Sequence, residues 1–222
     1  MLKFKYGIGT MTAAKRKTRD RILDAAEELF AHNGFAGVSV RQIMSKAEAD
    51  VSLAYYHFKS KRDLFDQVML RRVEHLNEIR LKALEAVEQR HSDDAPTVEE
   101  IIAAFTNPLL DLLAQEHDEW KYYFQLIAQI NNSPEWGGEL MTRYFDPLVR
   151  RFLEALHKAL PDCDEAELFW CHHFLSGALT LTFAETGRID NLSEGVVSSS
   201  DMASIAERMP VFLAAGFEKL CR

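Results

Sequence analysis

The ten residues SLAYYHFKSK, from Ser52 to Lys61, place two adjacent tyrosines, a histidine and two lysines together. Tyrosine and histidine carry polar tips, and lysine carries a positive charge, so this stretch is suited to contacts with a polyanion. The chain as a whole is acidic, with a formal net charge of −8. Overall composition therefore does not account for this basic, aromatic surface.

The charge is unevenly distributed along the chain. Residues 1–58 contain nine Lys or Arg and six Asp or Glu, a net charge of +3, whereas residues 59–222 contain 17 and 28, a net charge of −11. This asymmetry suggests that only the N-terminal end meets a polyanion. On charge alone, the alternative is that KRKTRDR is only a solvated tail.

Other chemistry has weaker support in the sequence. Cys171, His172 and His173 are adjacent, but neighbouring helical residues point about 100° apart and do not readily bind one ion. GxSxG, HExxH and glycine-rich phosphate-loop motifs do not occur in the sequence. We therefore predict no enzymatic activity, no metal site and no cofactor.

Composition indicates a globular cytoplasmic protein. The 222 residues, 47% of them hydrophobic, are enough to bury one or two cores. Cys163, Cys171 and Cys221 have no metal-binding spacing, and their odd number does not suit a disulfide framework, so a reducing compartment is expected. No apolar run approaches the roughly 20 residues of a membrane span, and no secretory signal is evident.

Hydrophobic periodicity predicts an all-α fold of about nine helices. The first helix is expected from Thr18 to a left-handed cap at Asn33 and Gly34. Ser39 and Gln42 have the spacing of a capping box that starts a second, short helix. Later helices are expected at about 118–132, 138–160, 164–187 and 200–220. Three prolines within these patterns are expected to kink or break the helices: Pro108, Pro147 and Pro210.

A third helix, capped by Asp50, contains the opening stretch. Helical spacing turns Val51, Ala54 and Phe58 inward and leaves the intervening residues largely outside. Two short helices joined by a tight turn suit the major groove of DNA, which is about 12 Å wide. From spacing alone, a packed or protein-binding surface remains the alternative.

The side chains predicted to contact DNA fall into three groups. Phosphate contacts are assigned to Tyr55, His57, Lys61 and the helix-two cap residue Ser39; base-edge contacts to Ser52, Leu53 and Tyr56; and additional contacts to Arg41, Arg16, Lys17 and Arg19.

The C-terminal half is rich in apolar residues, which predicts a ligand cavity between helices five to eight. Positive charge is nearly absent around Trp120 to Ile130, which favours an apolar or aromatic effector. Apolar residues of this kind more often belong to the protein core than contact a ligand. The candidate ligand-binding residues are Phe105, Leu109, Trp120, Phe124, Ile127, Gln129, His172 and Phe174.

The run from RDRILDAAEELFAHNGFAGVSVRQIMSKA through YYHFKSKRDLF resembles the N-terminal DNA-binding domain of TetR-type transcriptional regulators, over about residues 18–66. The resemblance implies a flexible arm over 1–17, a helix-turn-helix domain over 18–65, and a ligand-binding and dimerisation domain over 66–222. It also implies a homodimer, paired through its last two helices, that binds a palindromic operator. The most frequent role in such a family is a repressor that a small molecule releases from DNA.

Two positions depart from this family pattern. Glu48 stands where glycine is common, and Leu53 stands where a small residue is usual, so the operator sequence is not inferred. AETGRID is similar to a subgroup that includes fatty-acid-responsive repressors, which makes a fatty-acyl effector a second option. A helical ligand-binding or protein-interaction module that no longer reads DNA is the alternative function.

Overall fold

The computed structural model describes residues 13–91, 94–115, 118–134 and 137–221. Within these ranges the chain is helical and contains no strand, which confirms the predicted all-α class. The helices are α1 (Ala13–Asn33), α2 (Val40–Lys46), α3 (Val51–His57), α4 (Lys61–Arg90), α5 (Val98–Ala114), α6 (Asp118–Asn131), α7 (Gly137–Ala159), α8 (Glu165–Ala184), α9 (Arg188–Leu192) and α10 (Met202–Leu220). The short α9 lies between the helices predicted at 164–187 and 200–220.

The chain divides into two compact units within α4, between Met69 and Leu70. The first unit contains α1 to α3 and the start of α4, and the second contains the remaining helices. The sequence placed this boundary at residues 65 and 66, a few residues earlier.

The core of the first unit is an aromatic cluster surrounded by aliphatic side chains. Phe65 meets Phe30 and Phe35 edge to face, with ring centroids 5.2 and 5.3 Å apart. Gly34 has φ 67°, as the predicted cap at the end of α1 requires. On the surface, Lys46 of α2 and Glu28 of α1 form an ion pair with an N–O distance of 2.7 Å. A surface pair of this kind contributes roughly 0–1 kcal/mol to the free energy of unfolding.

In the second unit, α10 packs most extensively against α5, and α6 packs against α8. Pro108, Pro147 and Pro210 lie inside α5, α7 and α10 respectively, so none of them breaks its helix. The alternative expectation, a kink at each proline, stays a prediction. No helix among the described residues is both long and apolar enough to cross a membrane.

The structure contains a disulfide that the reasoning from cysteine number did not predict. Cys163, which follows α7, is bonded to Cys221, which follows α10. The two lie 58 residues apart in the sequence, and nothing local in the sequence indicates their proximity. Cys171 is free and buried.

We expect thiol titration of the unfolded, unreduced protein to detect one thiol per chain, contributed by Cys171, because the other two sulfurs are bonded to each other. Reduction before unfolding is the control and should raise the titre to three. A titre of three without reductant would contradict the assignment of this disulfide.

Candidate nucleic-acid interface and ligand cavity

The start of α2 is fixed by a capping box, as its sequence predicted. The Gln42 backbone amide donates to Ser39 Oγ at 3.3 Å, and the Ser39 amide donates to Gln42 Oε1 at 2.7 Å. The Ser39 hydroxyl also lies 2.7 Å from Gln42 Oε1. Ser39 therefore already has partners at the cap.

Asp50 caps α3, again as predicted. Its carboxylate accepts a hydrogen bond from the Ser52 amide at 2.8 Å. Hydrogen bonds from the Ser52 side chain and backbone lower the pKa of Asp50. The cap is therefore ionised at neutral pH and sets the direction in which α3 leaves the turn.

The turn between α2 and α3 passes through a left-handed residue. Glu48 has φ 49°, a region that costs an L-residue with a Cβ about 1–2 kcal/mol. Its amide donates to Ser45 O at 3.2 Å, and the Ala49 amide donates to Met44 O at 3.0 Å. This geometry gives a physical reason why glycine would suit position 48.

Replacing Glu48 by Gly is expected to raise the free energy of unfolding by roughly 0.5–1 kcal/mol. Relief of the left-handed strain exceeds the extra conformational entropy that glycine gives to the unfolded chain. Urea unfolding followed by circular dichroism measures the change. Glu48→Ala is the matched control, since it removes the same carboxylate but keeps the Cβ. Equal stabilisation by both variants would show that charge, not backbone strain, is responsible.

The exposed face of α3 carries the two tyrosines. Tyr55 is 70% exposed and Tyr56 is 63% exposed, which is unusual for aromatic side chains that lie side by side. Ser52 is exposed as well, whereas Leu53 and His57 are half-buried. These predicted base and phosphate contacts thus share one short helix.

The inward face of α3 is narrower than predicted. Ala54 and Phe58 are buried, but Val51 is 39% exposed. Val51 is the first residue of α3, directly after its cap, and a helix of seven residues does not bury its first turn. The expectation that Val51 faces the core was therefore wrong.

The cations predicted to contact DNA differ in their surroundings. Arg41 and Lys17 are exposed. Arg19 donates to Gln67 Oε1 at 2.9 Å, and its guanidinium lies 5.7 Å from the centre of the Phe58 ring. Arg19 thus helps to join α1 to α4 within the first unit.

Lys61 is also engaged within the first unit. Its ammonium donates to the carbonyl of Phe35 and lies 4.2 Å from the centre of that ring. Burial lowers the pKa of Lys61. A phosphate contact by Lys61 would have to share or replace this hydrogen bond.

Helix α1 begins at Ala13, five residues before the expected start at Thr18. Arg16 and Lys17 therefore belong to a helix rather than to the predicted flexible arm. The side chain of Arg16 and all of residues 1–12 of the arm lie outside the described residues.

The second unit contains a cavity of about 130 Å³. Four of the eight predicted ligand-binding residues border it, namely Leu109, Phe124, Ile127 and His172. The walls come from α4 to α8 and consist of Leu76, Arg80, Leu109, Phe124, Ile127, Asn131, Met141, Phe145, Asp146, Val149, His172, Ser176, Leu179, Thr180 and Phe183.

The other four predicted residues lie elsewhere. Phe105 borders a smaller neighbouring cavity of about 10 Å³. Trp120 packs beside Phe124, with centroids 6.0 Å apart, and is not part of the cavity wall. The structure does not bring Gln129 or Phe174 to the cavity either, because both side chains are exposed.

Arg80 is a wall residue that the sequence reasoning missed. It is only 4% exposed, its Nε donates to Phe105 O at 3.0 Å, and its guanidinium lies 3.6 Å from the centre of the Phe105 ring. Burial lowers the pKa of Arg80 to about 9, so it stays protonated at neutral pH. A positive charge from α4 thus borders the cavity, although the segment from Trp120 to Ile130 contributes none to the wall.

A sequence signal for Arg80 exists in α4. Leu76 and Leu84 are both buried and are eight residues apart, so the residue midway between them must share their face. That residue is Arg80, whereas its apolar neighbour Ile79 is half-buried.

Burial and the nearby charge of Arg80 lower the pKa of His172 to about 4. His172 is therefore neutral at physiological pH, and its Nε2 lies 3.3 Å from the Ser176 hydroxyl. Asp146, a half-buried wall residue on α7, has the opposite effect and raises the pKa of His172.

An apolar face on α8 and α10 remains exposed in the single chain. Trp170, Phe174 and Leu181 recur at helical spacing along α8, and Trp170 stacks on Phe174 with centroids 6.2 Å apart. On α10, Phe212 is 77% exposed, and Val211 and Leu220 are exposed as well. We refer to these six residues as the α8–α10 face.

The fold and the α2–α3 surface define an all-helical protein with an N-terminal helix-turn-helix unit. Residues 22–68 match the family described as "Bacterial regulatory proteins, tetR family", and residues 103–216 match "Tetracyclin repressor-like, C-terminal domain". Because the second match alone covers more than half of the chain, the protein belongs to the TetR family.

Individual relatives agree with this assignment. The chain is 31% identical over 130 residues to "Probable HTH-type transcriptional regulator YttP" of Bacillus subtilis, covering 59% of this chain and 58% of that protein. It is 42% identical over 53 residues to "HTH-type transcriptional repressor NicS" of Pseudomonas putida, covering 24% of this chain and 25% of that one. The chain thus spans less than two thirds of either relative.

The fold has a close counterpart among solved structures. A TetR-family transcriptional regulator from Bordetella parapertussis 12822 aligns with a TM-score of 0.64 at 19% identity, covering 88% of this chain and 93% of that chain. A sequence identity this low supports similarity of fold and nothing more specific.

Proposed function

We propose that the protein is a ligand-responsive, sequence-specific DNA-binding regulator that represses transcription until a small apolar or aromatic effector releases it from its operator. One observation carries this proposal. Tyr55 and Tyr56 stand exposed on a short helix whose start is fixed by the Asp50 cap. A rigid, exposed helix of this kind can enter the major groove, whose width matches one α-helix.

The surroundings of each residue suggest a division of roles on DNA. Ser52, Leu53 and Tyr56 are assigned to base edges, while Tyr55 and His57 are assigned to phosphates. Arg41, exposed in the first turn of α2, adds a charge that can reach the backbone. Phosphate contacts supply most of the affinity, and the groove-facing residues supply sequence preference.

The proposed dimer pairs the α8–α10 face with the same face of a second copy, since a two-fold interface uses one patch twice. Gly177 on α8 and Gly216 on α10 support this pairing. A Cβ added at either position would meet nothing within 4 Å in the single chain. Glycine in a helix interior lowers stability by about 1 kcal/mol relative to alanine. Close approach of a partner helix would explain why glycine is present at these two positions.

The effector is proposed to act by shifting the population between two conformations of the dimer. A ligand can shift this equilibrium only by the difference in its affinity for the two states. The cavity of about 130 Å³ is smaller than the roughly 300–1,000 Å³ typical of drug-sized ligand sites. A drug-sized effector would therefore require the cavity walls to move apart, whereas a smaller one would not.

Binding to the DNA that flanks the protein's own gene tests the proposal. We expect the dissociation constant to rise steeply with salt, by about 0.9 logarithmic units per tenfold increase in salt for each phosphate contacted. A duplex of the same length and scrambled sequence is the control, and it should bind more weakly at every salt concentration. If both duplexes bind equally weakly, the helix-turn-helix no longer reads DNA, and the protein is a ligand-binding or interaction module.

A further inference from the structure

We propose that the cavity of the second unit binds a small apolar carboxylic acid whose carboxylate pairs with Arg80. The claim that this acid is the effector rests on the proposed function. Binding of the acid to the cavity does not require DNA and can be measured separately. The proposal specifies the effector further: besides an apolar or aromatic part, it carries a negative charge.

Arg80 lacks a counter-charge. Its contacts within the described part of the chain are a backbone carbonyl and an aromatic ring, both on Phe105. No ion pair to Arg80 is formed among the described residues, although the side chain is only 4% exposed. A buried cation without a paired anion is costly, and a ligand carboxylate would compensate that cost.

The other polar groups of the wall, apart from Asp146, are already paired. Asn131 Nδ2 donates to Thr180 Oγ1 at 2.7 Å, and His172 Nε2 lies 3.3 Å from Ser176 Oγ. The Arg80 guanidinium offers five N–H donors, of which the structure assigns only Nε to a partner. Arg80 is therefore the wall residue with unused hydrogen-bonding capacity that best matches a planar carboxylate.

Cavity size and shape limit the remainder of the ligand. A cavity of about 130 Å³ is close to the roughly 150 Å³ at which an apolar cavity accepts a benzene ring. The other residues of the wall are mostly apolar, with Phe124, Ile127 and Leu179 among them. A single ring or a short aliphatic chain that bears one carboxylate fits this arrangement.

Asp146 is the one carboxylate on the wall, and it bears on the sign of the ligand charge. It is half-buried, so water stabilises part of its charge, whereas Arg80 is almost fully enclosed. The stronger uncompensated charge is thus the positive one. Repulsion by Asp146 also favours placing the ligand carboxylate on the Arg80 side.

Titration calorimetry on the full-length protein with benzoate tests the proposal, with benzyl alcohol and benzylamine as neutral and cationic probes of nearly the same shape. We expect benzoate to bind at least about 10-fold more tightly than either probe, because a charge-assisted hydrogen bond is stronger than a neutral one. Equal or tighter binding of the alcohol or the amine, or no benzoate binding at millimolar concentration, would overturn the proposal.

Two variants locate the contact. Arg80→Met should weaken benzoate binding at least about 10-fold, while Arg80→Lys, which keeps the charge but not the fork, should retain part of the affinity. The melting temperature without ligand should not fall in Arg80→Met, since removing an unpaired buried charge is neutral or stabilising. A lower melting temperature with unchanged benzoate affinity would make Arg80 a structural residue and refute the assignment.

The outcome is independent of the DNA experiment. Benzoate binding without operator binding would leave the cavity assignment in place and remove the regulator assignment. Operator binding without Arg80-dependent benzoate binding would do the reverse.

Discussion

Phe212→Glu is expected to convert the proposed dimer into a monomer. Phe212 is the most exposed aromatic side chain of the α8–α10 face, at 77%. In a two-fold interface each substitution is present twice, and loss of an aromatic anchor costs about 2 kcal/mol or more each time. The dimer dissociation constant should therefore rise by about a thousandfold or more, as measured by sedimentation velocity over a range of concentrations.

Leu192→Glu is the matched control for this variant. Leu192 is also 77% exposed and apolar, but it lies on α9 and not on the α8–α10 face. The control should remain dimeric, and both variants should keep the helix content of the parent protein. A dimer of unchanged stability in Phe212→Glu would show that the two copies pair through another surface.

Dimer loss should also reduce operator affinity. A palindromic operator offers two half-sites, and a monomer binds only one of them at a time. The same Phe212→Glu variant therefore connects the α8–α10 face to the α3 surface, even though the two features belong to different units of the chain.

Local sequence patterns predicted the helix-turn-helix unit well. The Ser39–Gln42 capping box and the Asp50 cap form as expected, because each depends on residues only two or three positions apart. The exposure of Tyr55 and Tyr56 followed from the same local reasoning, since consecutive helical residues cannot all face inward. Val51 was misplaced because helical spacing alone does not account for how short α3 is.

Features that depend on distant residues were not predictable in the same way. Cys163 and Cys221 meet only because α7 and α10 end near each other. Phe174 was assigned to the cavity on the strength of its apolar character, but an apolar residue on α8 can equally face a partner chain. Arg80 is different, because its position midway between Leu76 and Leu84 signalled burial, and only its charge argued against that reading.

Tyr56→Ala and Tyr55→Ala are expected to weaken DNA binding in different ways. Tyr56 is assigned to base edges, so its truncation should reduce operator affinity by at least about 30-fold, from roughly 1 kcal/mol or more at each half-site. Affinity for a scrambled duplex should change little. Tyr55 is assigned to phosphates, so its truncation should weaken both duplexes by a similar factor. Fluorescence anisotropy with the two labelled duplexes measures all four affinities.

The two variants serve as controls for each other, because the tyrosines are adjacent, similarly exposed and truncated in the same way. Neither should change the dimer or the melting temperature appreciably, since exposed side chains contribute little to the core. The salt dependence should stay close to that of the parent protein, because an uncharged phenol displaces no counterion. If both variants bound the operator like the parent protein, α3 would not be the reading helix; if Tyr56→Ala weakened both duplexes equally, Tyr56 would be a phosphate contact.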